Sequence, residues 1–282
     1  MQLFDHKKNV LFLRFVALSI CAAFLYSSFC WLVLSTVSFF ETGLVALSVF
    51  YVYSHLSKNM NSTESKTVLL ALKKIKHVFF PKSVFDFALL TSILSLLFFS
   101  IQNPLYWLLL FLVISLYSVS IPFLKIRESP IGKPLFISLA WTFILLEPLF
   151  RIKNNDIQVE LICLALIHFI YFFILSVIDD MRDFSFSEKG FKSLPIKYGL
   201  DTARKGLLFL LIVFYIMGLF FKPIESLWFF VFDFSLFAML LMFLFYVKRI
   251  TFTRVWLIEL HLGFLGLEYF IIALFFKKDK AV

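Results

Sequence analysis

The sequence predicts an all-α, polytopic membrane protein of about nine transmembrane helices. Two features of composition and one of pattern carry that prediction. Of 282 residues, 61% are apolar and 41 are Phe. Only 16% are charged, against about 25% in soluble domains. Apolar runs long enough to cross a bilayer then recur from one end of the chain to the other, with short polar breaks between them. A soluble fold of this size cannot hide that many apolar side chains and keep a wettable surface, whereas a bilayer solvates them on the outer faces of the helices.

A spanning helix needs roughly 20 mostly apolar residues. That ruler places spans at 9–32, 35–56, 84–101, 104–123, 133–150, 158–178, 203–221, 224–246 and 252–275. The whole chain, 1–282, reads as a single transmembrane helical domain. Asn103-Pro104, Pro122, Pro130, Pro134, Pro148 and Pro223 fall at or near these ends, as residues that punctuate helices should. The stretch from Val10 to about Leu34 is too long for the apolar core of a secretory signal peptide, so it is read as a span.

The cations provide an independent check. With the N-terminus placed in the cytoplasm, 21 of the 27 Lys and Arg fall on the cytoplasmic side, a strong positive-inside bias. An odd number of spans then puts the C-terminus outside. The net charge of +9 thus has a topological meaning, and nucleic acid is not an expected partner. Cys21, Cys30 and Cys163 all lie in apolar runs, with neither zinc nor disulfide spacing, and read as small apolar fillers.

Two inside loops, 57–83 and 179–202, are long and rich in charge. The second follows an apolar helix that ends on Asp179, Asp180 and Asp183. Asp180 and Asp183 are three apart and share a helical face. Carboxylates at a membrane boundary are costly unless hydrated or paired. Two hard oxygen ligands on one face are how proteins hold Mg²⁺ against a substrate phosphate. Lys189, Lys192 and Lys197 follow and are candidates for direct contact with phosphate oxygens. On these residues alone, a solvated loop with local ion pairs is the commoner meaning of such a cluster.

The run Asp180-Met-Arg182-Asp183, followed by Gly190-Phe-Lys192-Ser193-Leu194-Pro195 and Gly199, resembles the second aspartate-rich motif of the UbiA family of intramembrane prenyltransferases, D-x-x-D-x-x-x-D with a G-x-K-T-L-P-V-x-x-G-like tail. Upstream, Tyr117-Ser118-Val-Ser-Ile-Pro122-Phe-Leu-Lys125-Ile-Arg127 is similar to the family's Tyr-Ser-x-Pro…Lys segment. The resemblance implies nine helices around a central cavity open to lipid. It implies transfer of an isoprenyl group from a prenyl diphosphate to a lipophilic acceptor, with Mg²⁺ as cofactor. On these positions Asp180 and Asp183 would be catalytic, with Asp179, Asp180 and Asp183 holding metal. Tyr117, Lys125, Arg127, Lys58, Lys189 and Lys192 would receive the diphosphate. The expected location is the bacterial inner membrane.

The chain departs from the family pattern. The first motif, N-D-x-x-D-x-x-x-D, falls on Ser54, His55, Lys58 and Ser62, where no carboxylate remains. In the second motif Ser187 replaces the last Asp, and the tail is one residue shorter. These losses keep a second reading open, a non-catalytic relative that binds an isoprenoid or its diphosphate. A third, a small transporter, would use the ionisable residues of the last span, Glu259, His261 and Glu268. Glu259 and Glu268, nine apart, do not share a face. Asp233 has no assigned role, Arg14 reads as an interface anchor, and His168 as a packed, hydrogen-bonded histidine.

Overall fold

The computed structural model describes residues 2–59, 129–151, 158–182, 193–221, 237–238, 240–241 and 256–276. Its described elements are helical. In chain order they are α1 (Gln2–Leu34), α2 (Phe39–Asn59), α3 (Gly132–Leu146) with a 3₁₀ turn (Glu147–Arg151), α4 (Gln158–Arg182), α5 (Leu194–Tyr198), α6 (Leu200–Phe221) and α7 (Trp256–Phe276). The sequence-predicted spans at 84–101 and 104–123 lie outside the described residues, as does nearly all of 224–246.

Among the described residues, four segments are long and apolar enough to cross a membrane: Leu13–Leu34, Gly132–Leu149, Leu164–Met181 and Leu200–Leu219. Shorter apolar helical stretches run over Phe39–Phe50 and His261–Leu274. The outer faces of these helices are themselves apolar. Ile20 of α1 is 63% exposed and Phe209 of α6 is 66% exposed. Apolar faces on the outside as well as in the core are the signature of helices that meet lipid rather than water. The chain is therefore an α-helical integral membrane protein.

The chain forms two compact units, residues 1–107 with 255–282, and residues 108–254. In the first, α1 packs along α2 and α7. α1 is closed by the next residue, Ser35, whose backbone is left-handed (φ 63°) and whose N–H donates to Trp31 O at 3.1 Å. Ser38 then caps α2, its Oγ accepting from Glu41 N at 3.3 Å. This tight reversal sets α2 antiparallel to α1. The α1–α7 seam runs the other way. A Cβ at Gly263 would lie 3.4 Å from Cys21 Sγ, and a Cβ at Gly266 only 2.9 Å from Leu25 Cα. Further along, the Phe29 and Tyr269 rings meet edge to face at 5.1 Å. The positions advance together, so α1 and α7 are parallel. Cys21, Leu25 and Phe29 are all buried, and small residues let the backbones approach closely.

In the second unit α4 is the central helix. It packs against α3 through Trp141 and Phe172, stacked at 5.7 Å, and against α6 through Tyr171 and Phe214 at 5.5 Å. Both neighbours run antiparallel to it. At one end of this unit lie the N-terminus of α3, the C-terminus of α4, the short α5 and the start of α6. The other end of α3 is closed by its 3₁₀ turn, where Arg151 donates to both carboxylate oxygens of the fully buried Glu147 at 2.8 Å.

Candidate functional site

The polar end of the second unit is built by helices that overrun their apolar segments. α4 continues through Arg182, four residues beyond the predicted span end at 178, and so takes Asp179 and Asp180 into its last turn. Asp179 is half-buried and Asp180 is buried. α3 begins at Gly132, whose N–H donates to Ser129 Oγ at 3.2 Å, and places Lys133 in its first turn.

Lys133 Nζ and Asp180 Oδ1 form an ion pair between these helices. The Asp180 side chain is only 3% exposed and that of Lys133 is 17% exposed. Each charge sits at the helix end that its own helix dipole disfavours, the cation in a first turn and the anion in a last turn. Their contact compensates both placements. A buried ion pair is weak evidence for stability, because desolvation offsets most of the attraction. Departures from local preference are expected at functional or strained places, which makes this helix end the candidate site.

The tail of the aspartate motif completes this end. Ser193 is buried, and its backbone carbonyl accepts from Ile196 N and Lys197 N as α5 begins, with Pro195 in the first turn. Its hydroxyl has no hydrogen-bond partner among the described residues. Gly199 closes α5 with φ 84° and ψ 152°, a backbone region that belongs essentially to Gly. Its carbonyl accepts from Ala203 N at 3.1 Å, starting α6. The conformation accounts for Gly at this position, and Pro195 suits a first turn because that turn needs no N–H from it.

Of the sequence-predicted site residues, the structure gives surroundings for Asp179 and Asp180 alone. Tyr117, Lys125, Arg127, Asp183, Lys189 and Lys192 lie outside the described residues. Lys58 lies in the last turn of α2, in the first unit. Lys133 was not singled out by the sequence reading, where it counted only as an inside charge. Its one local signal is a cation in a first turn, beside Pro134.

Among the described residues no group of three or more His, Cys, Asp or Glu is arranged to hold a metal ion. The carboxylates of α4 fit Mg²⁺ only in the manner of a shared ion, one or two protein oxygens completed by phosphate oxygens and water.

Two ionisable groups of α7 are buried in the first unit, as is Glu41 of α2. His261 and Glu268 of α7 are 1% and 2% exposed. At 100° per residue they share a stripe with Leu265 and Ile272, turned roughly 140° from the seam with α1. His168 of α4 is buried, and its Nδ1–H donates to Leu164 O at 2.6 Å, as expected of a packed histidine.

The chain matches no family model, no curated protein and no solved structure.

Proposed function

We propose that the chain is a UbiA-like integral membrane prenyltransferase that takes a prenyl diphosphate at the Asp180 end of its second unit and transfers the isoprenyl group to a lipophilic acceptor. The observation that carries this reading is the Lys133–Asp180 pair. It puts a cation and a buried carboxylate side by side at a membrane helix end, next to the folded tail of the motif that suggested the family. That combination suits a diphosphate: an amine for its oxygens, and a carboxylate to share a divalent ion with it.

The reaction would break the allylic C1–O bond, the electron pair leaving with the diphosphate. A nucleophilic atom of the acceptor would bond to C1 and release its proton. Mg²⁺, when bound, neutralises the leaving group. Lys133 would hold phosphate oxygens, Asp180 would orient the ion, and the apolar helices would keep water from the developing cation. The reading carries with it nine spans around a lipid-open cavity, and the bacterial inner membrane with the N-terminus inside. The parallel packing of α1 and α7 supports an odd number of crossings from the first to the last of them, with the chain's termini on opposite sides.

One observation favours a non-catalytic binder instead. The stretch Ser54–Ser62 in and after the last turn of α2 contains no carboxylate. The transporter reading draws on the buried His261 and Glu268. Purified protein incubated with radiolabelled geranyl or farnesyl diphosphate, Mg²⁺ and a lipid extract separates the three. A labelled lipid product is the expected result. Retention of label without product favours the binder, and neither product nor retention removes the diphosphate from the function.

A further inference from the structure

We propose that the outer face of α6 holds one anionic phospholipid, its headgroup phosphate on Arg204 and Lys205 and an acyl chain along Phe209, Ile212 and Ile216. The inference goes beyond the diphosphate reading and does not depend on it, because this face is turned away from α4 and its carboxylates.

Three observations carry it. First, α6 divides into two faces. Leu207, Leu211 and Phe214 are buried, and Phe214 meets Tyr171 of α4. On the opposite side Lys205, Phe209, Ile212 and Ile216 fall within roughly 60° of one another at about 100° per residue. Lys205 is exposed, and the three apolar side chains are 66%, 43% and 46% exposed. A cation therefore heads an apolar stripe about 10 Å long, which is the order of polarity in a lipid's headgroup and upper chain. Secondly, the Arg204 guanidinium has donors to spare. Its one ion pair among the described residues is between Nη1 and Asp201 Oδ1 at 3.5 Å, and the Asp201 side chain is 85% exposed, so water weakens that pair. Its Nε is buried with no hydrogen-bond acceptor among the described residues. A planar fork with unused N–H groups matches phosphate oxygens. Thirdly, the surroundings suit a headgroup and leave room for it. Tyr198 is 45% exposed, with Lys197 Nζ 5.0 Å from its ring centre, and Tyr collects at headgroup level. Gly206 is exposed, and nothing lies within 4 Å of where its Cβ would be. Arg204 and Lys205 also follow the start of α6, where the helix dipole adds to their positive potential. A zwitterionic headgroup would bring its own cation to this place, whereas an anionic one brings its phosphate alone and needs no metal.

Phe209→Trp places a reporter on the stripe. In bilayers of mixed phosphatidylglycerol and phosphatidylcholine, with the chains of one or the other brominated, the emission that this Trp adds over the parent protein is quenched by whichever lipid lies against it. The two titrations together give the relative affinity at that position. Phosphatidylglycerol should be preferred roughly five- to twentyfold, since each cation near an anionic lipid contributes about fivefold. In the same background, Arg204→Gln with Lys205→Gln should bring the ratio to within about twofold of unity. Where that pair of changes does not yield folded protein, Lys205→Gln alone, at an exposed position, should lower the ratio roughly fivefold. Lys7→Gln with Lys8→Gln removes the same charge from the first unit and should leave the ratio unchanged. Excess inorganic pyrophosphate with Mg²⁺ should leave it unchanged as well. Equal quenching by both lipids overturns the headgroup contact. So does a preference that survives loss of the two cations, or one that falls equally in the Lys7 and Lys8 variant. Emission that neither lipid quenches means that protein covers this face, a second copy of the chain included, and overturns the lipid. A preference abolished by pyrophosphate with Mg²⁺ puts free diphosphate on these cations in place of a lipid headgroup and overturns the assignment, without touching the reading of the Asp180 end.

Discussion

Gly266→Ala tests the closest backbone approach in the first unit. The added Cβ would lie 2.9 Å from Leu25 Cα, 3.0 Å from Leu25 N and 2.9 Å from Phe24 Cδ1. Carbon pairs rest at about 3.5–4.0 Å, so α7 and α1 must part by several tenths of an ångström. Two of the three obstructing atoms are backbone and cannot rotate away. Overpacking of this kind costs about 1–3 kcal/mol, set against the ~1 kcal/mol by which Ala exceeds Gly in helix propensity. The net expectation is a loss of roughly 0–2 kcal/mol. Gly206→Ala in α6 is the internal control, because nothing lies within 4 Å of a Cβ there. It should be stabilising by about 0.4–1 kcal/mol. Unfolding of both variants in one mixed-micelle denaturant series measures the gap. Gly266→Ala unfolding at or above the midpoint of Gly206→Ala would refute the seam as described.

Three further expectations follow from the same geometry. Gly263→Cys should form a disulfide with Cys21 on mild oxidation in a Cys30→Ser, Cys163→Ser background. The two Cβ atoms would be 4.0 Å apart, inside the range of about 3.5–4.5 Å for disulfides, and peptide mapping by mass spectrometry reads the cross-link. Arg151→Met should cost about 1.5–3 kcal/mol by removing two charge-assisted hydrogen bonds from the buried Glu147 carboxylate. Adding Glu147→Gln should restore most of that in the same unfolding assay. Gly199→Ala should cost about 1–3 kcal/mol for forcing a Cβ into the φ 84°, ψ 152° region, with the largest increase in hydrogen exchange across Leu194–Tyr198.

The four described segments long enough to cross a membrane were legible because hydropathy reports how much of a helix lies in lipid. It does not report where the helix stops. α1 begins at Gln2 and carries Asp5, Lys7 and Lys8 in helical conformation ahead of its apolar stretch. α4 likewise runs past Ile178, and α3 yields to a 3₁₀ turn at Glu147, just before Pro148. Helical hydrogen bonding continues into the polar boundary as long as the backbone permits it, whatever the side chains. The acidic end of α4 was visible as a run of carboxylates. Its partner was not, because Lys133 and Asp180 are 47 residues apart and nothing local pairs them. The α1–α7 seam was equally hidden. Gly263 and Gly266 are unremarkable in an apolar run until Cys21 and Leu25 are seen against them.

That seam has a consequence for biosynthesis. The helices of the second unit are neighbours in sequence as well as in space, so each finds a partner soon after insertion. α1 is different. Its buried face, with Ser19, Ser28 and Tyr26, enters the membrane early, yet the helix that covers the Cys21–Phe29 edge is the last one described. Among the described helices, α2 alone packs beside α1 until α7 is made, and contacts of such long sequence separation are the slow ones to form. An arrested chain that lacks α7 would present the Cys21–Leu25–Phe29 edge of α1 to lipid. A quality-control protease could read that edge as the mark of an unfinished molecule.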